Sequence, residues 1–127
     1  VFHLTKAVSL TARDVRNLQL AKAAVVGGIR VLLEQRGVTA DDIASVELAG
    51  GFGNYLSPEN VVRIGMLPRA CLSKIRPLGN TALAGASMLA LDGENWRKLA
   101  EIPEKCRYLE LSGRDDFSRA FTDSLTF

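Results

Sequence analysis

An α/β domain built around a small, mainly parallel sheet flanked by helices is the fold class that this sequence predicts. Three observations carry the prediction. Helical and strand patterns alternate along the chain with short loops between them, as in strand–helix–strand units. The 127 residues are enough to bury one core without disulfides or a metal. Finally, the stretch "ELAGGFGN" runs from a strand pattern straight into three glycines within four positions.

The first element is also the longest. In "SLTARDVRNL", Thr11 stands at an N-cap and Asp14 at the third helical position, a capping box with aspartate in the acid's place. Leu10 and Val15 sit where a hydrophobic staple would put them. The helical pattern then continues for about seven turns and stops at Gly37, a residue suited to the left-handed C-terminal cap. Ala21, Ala24 and Gly28 form a stripe with almost no side chain, which predicts a close helix contact there. Thr39 and Asp42 repeat the capping pattern for a short turn. Residues 45–49 read as a strand, and the glycine stretch follows it. In "LSPENVVRIG", Ser57 caps a helix, Pro58 takes its first position and Gly65 closes it. Residues 75–78 read as a short strand. "GNTALAGASMLAL" reads as a small-residue helix capped by Asn80 and is a natural partner for the bare stripe. Residues 94–103 read as a further helix, "RYLEL" as a strand, and "RDDFSRAFTDSL" as the closing helix.

Composition narrows the function classes. A net charge of +2, with sixteen basic residues interspersed among fourteen acidic ones, argues against a nucleic-acid or polybasic membrane surface. No apolar run reaches the length of a membrane span. Cys71 and Cys106 stand alone and His3 is the only histidine, so no metal-ligating set is visible; both thiols read as buried and reduced. The chain opens on Val1 without a visible signal peptide, which reads as a cytoplasmic fragment with residues 1–10 as the lead-in from a longer parent. Trp96 reads as a partly buried packing residue. Arg63, Arg69 and Arg76 read either as ordinary exposed arginines or as groups facing phosphate or an acidic partner.

The glycine stretch has two readings. In open α/β sheets, ligands bind beyond the carboxyl ends of the strands, and Gly50, Gly51 and Gly53 lie there. Bare backbone lets a planar ring or sugar approach, Asn54 adds an amide that donates and accepts, and Phe52 is placed to wall a base. The alternative is a tight strand-to-helix crossover that requires positive φ. The stretch is neither a P-loop nor the Rossmann fingerprint.

Taken in order, "LQLAKAAVVGGIRVLLEQRGV", "VELAGGFGNYLSPENVVRIGMLP", "GNTALAGASMLAL" and the closing "LELSG…F" resemble the C-terminal region of the reductive activators of corrinoid proteins. Those are iron–sulfur ATPases with a nucleotide domain similar to the acetate/sugar kinase, heat-shock chaperone and actin superfamily. The likeness runs over residues 8–127 and is most specific in "LAGGFG" and "GNTALAGA". It implies one lobe of the actin-like ATPase (ribonuclease H-like) fold, with residues 11–127 as a single subdomain. In that superfamily a strand followed by a Gly-Gly turn forms the adenosine motif, to which residues 48–53 are similar. A small-residue helix at the interdomain connection matches the segment that opens with Asn80. The helix preceding the adenosine strand often contributes polar groups to base and ribose, which by position makes Gln19 and Lys22 candidates.

The resemblance implies the ATP- or ADP-binding C-terminal part of an activator that returns Co(II) corrinoid protein to Co(I) with ATP hydrolysis. The corrinoid methyl-carrier protein of a methyltransferase system and the rest of the parent chain are the implied partners, with a homodimer as a further expectation. Mg²⁺ would be shared with the other lobe, where the phosphate-binding acidic residues belong. Asp41, Asp42, Asp115 and Asp116 read instead as helix-start charges. The [2Fe–2S] cluster implied for the parent would lie in a separate N-terminal domain, because this sequence lacks its cysteines. The fragment is accordingly not expected to be active alone. Another class of reading is a non-catalytic interaction or dimerisation module of the same fold. A third is an activator of the dehydratase type, which would need cluster cysteines within this domain.

Overall fold

The computed structural model describes residues 1–53 and 55–127, and of Phe52 only its backbone. The chain opens with a short antiparallel pair, β1 (Phe2–His3) and β2 (Ser9–Leu10), in the register Phe2↔Leu10 and His3↔Ser9. Its connection is tied by the Thr5 hydroxyl oxygen, which accepts the N–H groups of Ala7 at 3.2 Å and Val8 at 3.0 Å.

Helix α1 spans Ala12–Arg36 and begins with the capping box that the sequence announces. Asp14 N–H donates to Thr11 Oγ1 at 3.2 Å, and Thr11 N–H donates back to Asp14 Oδ2 at 2.8 Å. Gly37 closes the helix in the left-handed conformation, φ 65°, ψ 31°, returning its N–H to the last turn. In the turn that follows, Thr39 N–H donates to Asp42 Oδ2 at 2.8 Å.

Strand β3 (Val46–Ala49) leads into α2 (Gly50–Gly53), a single helical turn, and then α3 (Pro58–Arg63). Ser57 caps α3 by accepting Asn60 N–H at 3.3 Å, and proline sits at the first position, where a missing N–H costs nothing. A 3-10 helix, Arg69–Lys74, delivers the chain to β4 (Ile75–Gly79). β4 pairs parallel to β3, which bears out the parallel pairing expected from the alternation. Then come α4 (Thr81–Leu91), α5 (Glu94–Lys105) and α6 (Asp115–Asp123). Asp115 and Asp116 occupy the first turn of α6, beside the positive end of its dipole.

The core forms on both sides of α1. On one side α6 packs along it, with Ala23, Gly27 and Ala120 buried between them. A Cβ at Gly27 would lie 3.0 Å from Phe117 Cε2, so glycine there lets the two helices approach closely. Phe117 and Phe121 stack against each other with ring centroids 6.1 Å apart. Elsewhere Val31, Val61 and Cys71 are the largest fully buried side chains, and Cys71 lies under the carbonyl of Ala40.

Four expectations are corrected. The close contact with α6 uses Gly27 of α1, and Ala23 on the same face is buried; Ala21 and Ala24 are exposed, and α4 packs on α5 instead. Residues 107–111 form no strand. Cys106 is exposed, as is Trp96 at 59%, although the indole N–H donates to the Leu89 carbonyl at 3.1 Å.

Candidate functional site

The two parallel strands bring their carboxyl ends to one edge. The register runs Val46↔Ile75, Glu47↔Arg76, Leu48↔Pro77 and then Ala49↔Gly79. Leu78 is therefore an extra residue on β4, a bulge at the point where both strands end. Beyond Ala49 stands Gly50; beyond Gly79 stands Asn80. The structure thus brings together two segments that lie about thirty residues apart in the sequence, and α2 packs against β4 there.

Each glycine of the turn has its own reason. Gly50 has φ 92°, a conformation that L side chains rarely adopt, and it reverses the chain out of the strand. At Gly53 a Cβ would lie 3.0 Å from both the carbonyl carbon and oxygen of Leu48, because the helical turn folds back onto the strand it left. Gly51 differs. It is exposed, its φ is not positive, and a Cβ there would meet nothing within 4 Å. Among the described residues no contact requires glycine at that position, which leaves a bare, open backbone at the carboxyl edge of the sheet.

Asn80 is the N-cap of α4, its Oδ1 accepting Leu83 N–H at 3.0 Å. That bond orients the amide at the same edge. Gly79, with φ 69°, mirrors Gly50 on the neighbouring strand. The sequence reading passed over it, although a glycine directly before a capping asparagine is the signal that marks it.

The other sequence candidates fall elsewhere or outside the description. Asn54 lies outside the described residues, and so does the ring of Phe52. Gln19 is half-buried on α1. Lys22 is buried at 3% exposure, and its ammonium donates to the Thr126 carbonyl oxygen and sits 5.0 Å from the centroid of the Phe127 ring. A Cβ at Gly65 would lie 3.9 Å from that ammonium. Lys22 thus belongs to a cluster formed by α1, the end of α3 and the last residues. Neither it nor Gln19 comes within 4 Å of the Cβ position of Gly51.

Just after the turn, Glu59 on α3 is held below the usual carboxylate range by the Ser57 hydroxyl, which donates to its Oε2 at 2.6 Å. Arg63 and Arg69 line one open cleft with Glu59, and Arg76 faces Glu47 across the strand pair. Among the described residues no group of three or more histidine, cysteine, aspartate or glutamate side chains is placed to hold a metal ion. No helix among them is long and apolar enough to cross a membrane.

A parallel strand pair ending in a glycine turn and a capped helix, flanked by helices, defines a small α/β domain, which the following matches assign to the actin-like fold. The chain belongs to the family described as "C-terminal domain of RACo the ASKHA domain", which it matches over residues 2–127. It is 34% identical over 122 residues to the corrinoid activation enzyme RamQ of Eubacterium limosum, covering 96% of this chain and 21% of that protein. It is 25% identical over 122 residues to a Methanosarcina barkeri [Co(II) methylated amine-specific corrinoid protein] reductase, covering 94% of this chain and 22% of the other. The solved structure of a reductive activator for corrinoid,iron-sulfur protein superposes with a TM-score of 0.84 at 35% identity, over 91% of this chain and 18% of that one. The chain therefore spans about a fifth of the length of these relatives.

Proposed function

We propose that this chain is the ATP- or ADP-binding C-terminal part of an iron–sulfur reductive activator, one that returns a Co(II) corrinoid protein to Co(I) with ATP hydrolysis in the cytoplasm. Family membership supports nucleotide binding, and the names of the relatives support a corrinoid protein as partner. The single observation that carries the site is Gly51: an open glycine, required by no contact among the described residues, at the carboxyl edge of parallel strands.

On this reading Gly50 turns the backbone and Gly53 seats the turn on Leu48. Gly51 leaves its peptide faces bare for adenosine. Asn80, fixed by its capping bond, presents its amide across the edge, while Phe52 and Asn54 stay in the proposal as candidates by sequence alone. Gln19 and Lys22 stay in the proposal as contributors to base or ribose, Lys22 only if the last residues move off its ammonium. Bound nucleotide and Mg²⁺ would supply phosphoryl transfer to water, with catalytic acids from outside this chain. Differential affinity for open and closed lobes would let nucleotide shift the conformation. The [2Fe–2S] cluster does not fit these residues, since one thiol is buried beneath Ala40 and the other is exposed. It is assigned to the rest of the parent.

The test is an amide NMR titration of the chain with Mg-ADP, repeated on Gly51→Val. Shifts concentrated at residues 50–53 and at Asn80, lost in the variant, are expected. Saturating nucleotide without such shifts would remove binding by this chain. A second reading, a non-catalytic interaction module, draws support from the exposed apolar side chains of α4 and α5. It predicts association without any nucleotide response.

A further inference from the structure

The segment that was expected to be a strand has another arrangement. Leu109 and Leu111 are half-buried while Tyr108 and Glu110 are exposed, an alternation that turns one side of the segment toward α1. Leu111 Cδ1 would stand 3.5 Å from a Cβ at Gly28. Further along, Arg107, Tyr108 and Leu109 line a cleft of about 370 Å³ together with Leu32, Gln35 and Arg36 of α1. The segment therefore runs antiparallel to α1, since Gly28, Leu32 and Arg36 are four apart on one helix face. Lys105, from the last turn of α5, joins the same cleft.

Three cations thus share a cleft with two leucines, and among the described residues no carboxylate lines it. Two acids at its margin are engaged. Lys105 is 3.1 Å from Glu101 in a solvent-exposed pair, and the Tyr108 hydroxyl donates to Glu110 Oε2 at 2.5 Å. Among the described residues Arg36 and Arg107 form no ion pair. Two helix C-termini favour cations at Arg36 and Lys105, yet Arg107 lies outside any helix. Helix dipoles therefore do not account for its place in the same cleft as Arg36.

We propose that this cleft is a docking site for an acidic segment of a protein partner. Guanidinium groups pair bidentately with carboxylates, and arginine and tyrosine are enriched where protein interfaces hold most strongly. The openness of the site decides between occupants. Lys105 is 74% exposed in its side chain and Tyr108 85% exposed, so a lone small anion would stay hydrated, whereas a partner's surface would close the cleft. This assignment does not depend on nucleotide binding, and its amides are distinct from those of the glycine turn.

The probe is hexaglutamate, titrated into the chain by NMR at low and high salt, with inorganic phosphate and hexathymidylate as parallel arms. Hexaglutamate should shift the amides of Arg36, Arg107 and Tyr108, and salt should weaken it. Arg36→Glu with Arg107→Glu should reduce its affinity roughly tenfold or more and create a response to hexalysine, which misfolding would not produce. Arg36→Gln with Arg107→Gln should fall between, with unchanged circular dichroism. No response to hexaglutamate would overturn the proposal. An equal response to phosphate or to hexathymidylate would overturn it as well, in favour of a general anion or nucleic-acid site.

Discussion

Gly50, Gly51 and Gly53 are chemically identical, yet their surroundings predict three different responses to a methyl group. At Gly53 the added carbon would lie 3.0 Å from backbone atoms of Leu48, which cannot rotate away. Gly53→Ala is expected to cost about 1–3 kcal/mol, the usual range for overpacking. At Gly51 the same carbon meets nothing within 4 Å and φ is not positive. Gly51→Ala is therefore expected to leave stability unchanged or raise it by about 0.4–1 kcal/mol through the unfolded chain, while weakening Mg-ADP binding. Gly50→Ala forces an L residue to φ 92° and should destabilise like Gly53→Ala. Urea melts of the three variants, run beside the nucleotide titration, separate glycine needed by the fold from glycine left open for a ligand. A loss of stability at Gly51→Ala as large as at Gly53→Ala would remove the argument for the site.

At the scale of elements, what the sequence made legible was what local chemistry decides. The box of Thr11 and Asp14, the Gly37 cap, the Ser57–Pro58 start and the Asn80 cap all form as their spacing implies. Thr11→Ala should cost about 1 kcal/mol. The same caps predict acid sensitivity. The Thr11 N–H, and then its hydroxyl, hold the Asp14 carboxyl below the usual range; the Thr39 N–H and hydroxyl do the same for Asp42. Both folded pKa values are depressed, so their stabilisation is present above the unfolded carboxylate value and is lost as pH falls through the folded ones. Melting temperatures from neutral pH to below about pH 4 should decline less steeply in Asp14→Asn than in the native chain; parallel curves would refute the assignment. What stayed illegible was non-local. Two bare stripes run side by side on α1, and the arrival of Phe117 against Gly27 is what no local pattern on α1 reports. Residues 107–111 have strand-like alternation, but they lie along a helix instead of pairing. Of the site, the glycine turn and Asn80 were readable from motif and cap. The separate location of the Lys22 ammonium depends on the chain's last residues, which no local pattern near Lys22 reports.

The whole molecule leaves much apolar surface in water. α4 carries Leu83, Met88 and Leu91 at 64, 58 and 87% exposure, and α5 carries Trp96, Leu99 and Ile102 at 59, 41 and 53%. These helices pack on each other, and the Trp96 indole is tied to Leu89, so their apolar residues form a defined surface. Large apolar side chains left this exposed on two packed helices are the material from which contact surfaces are built. The relatives are about five times longer than this chain, so a larger protein has ample material to cover them. Alone, the chain is expected to associate as its concentration rises, because burying these side chains stabilises by about 25 cal/mol per Å² of apolar area. Trp96 is the only tryptophan, which makes its emission a site-specific reporter. It should shift to the blue as sedimentation shows mass increasing, and Leu91→Glu should shift both transitions to higher concentration. If the chain sediments as a monomer at all concentrations with constant emission, the α4–α5 surface does not drive association, and the interaction-module reading loses its support. If it associates, the same tryptophan gives a competition assay: a longer activator chain that contains its own cover should show blue-shifted emission even when dilute.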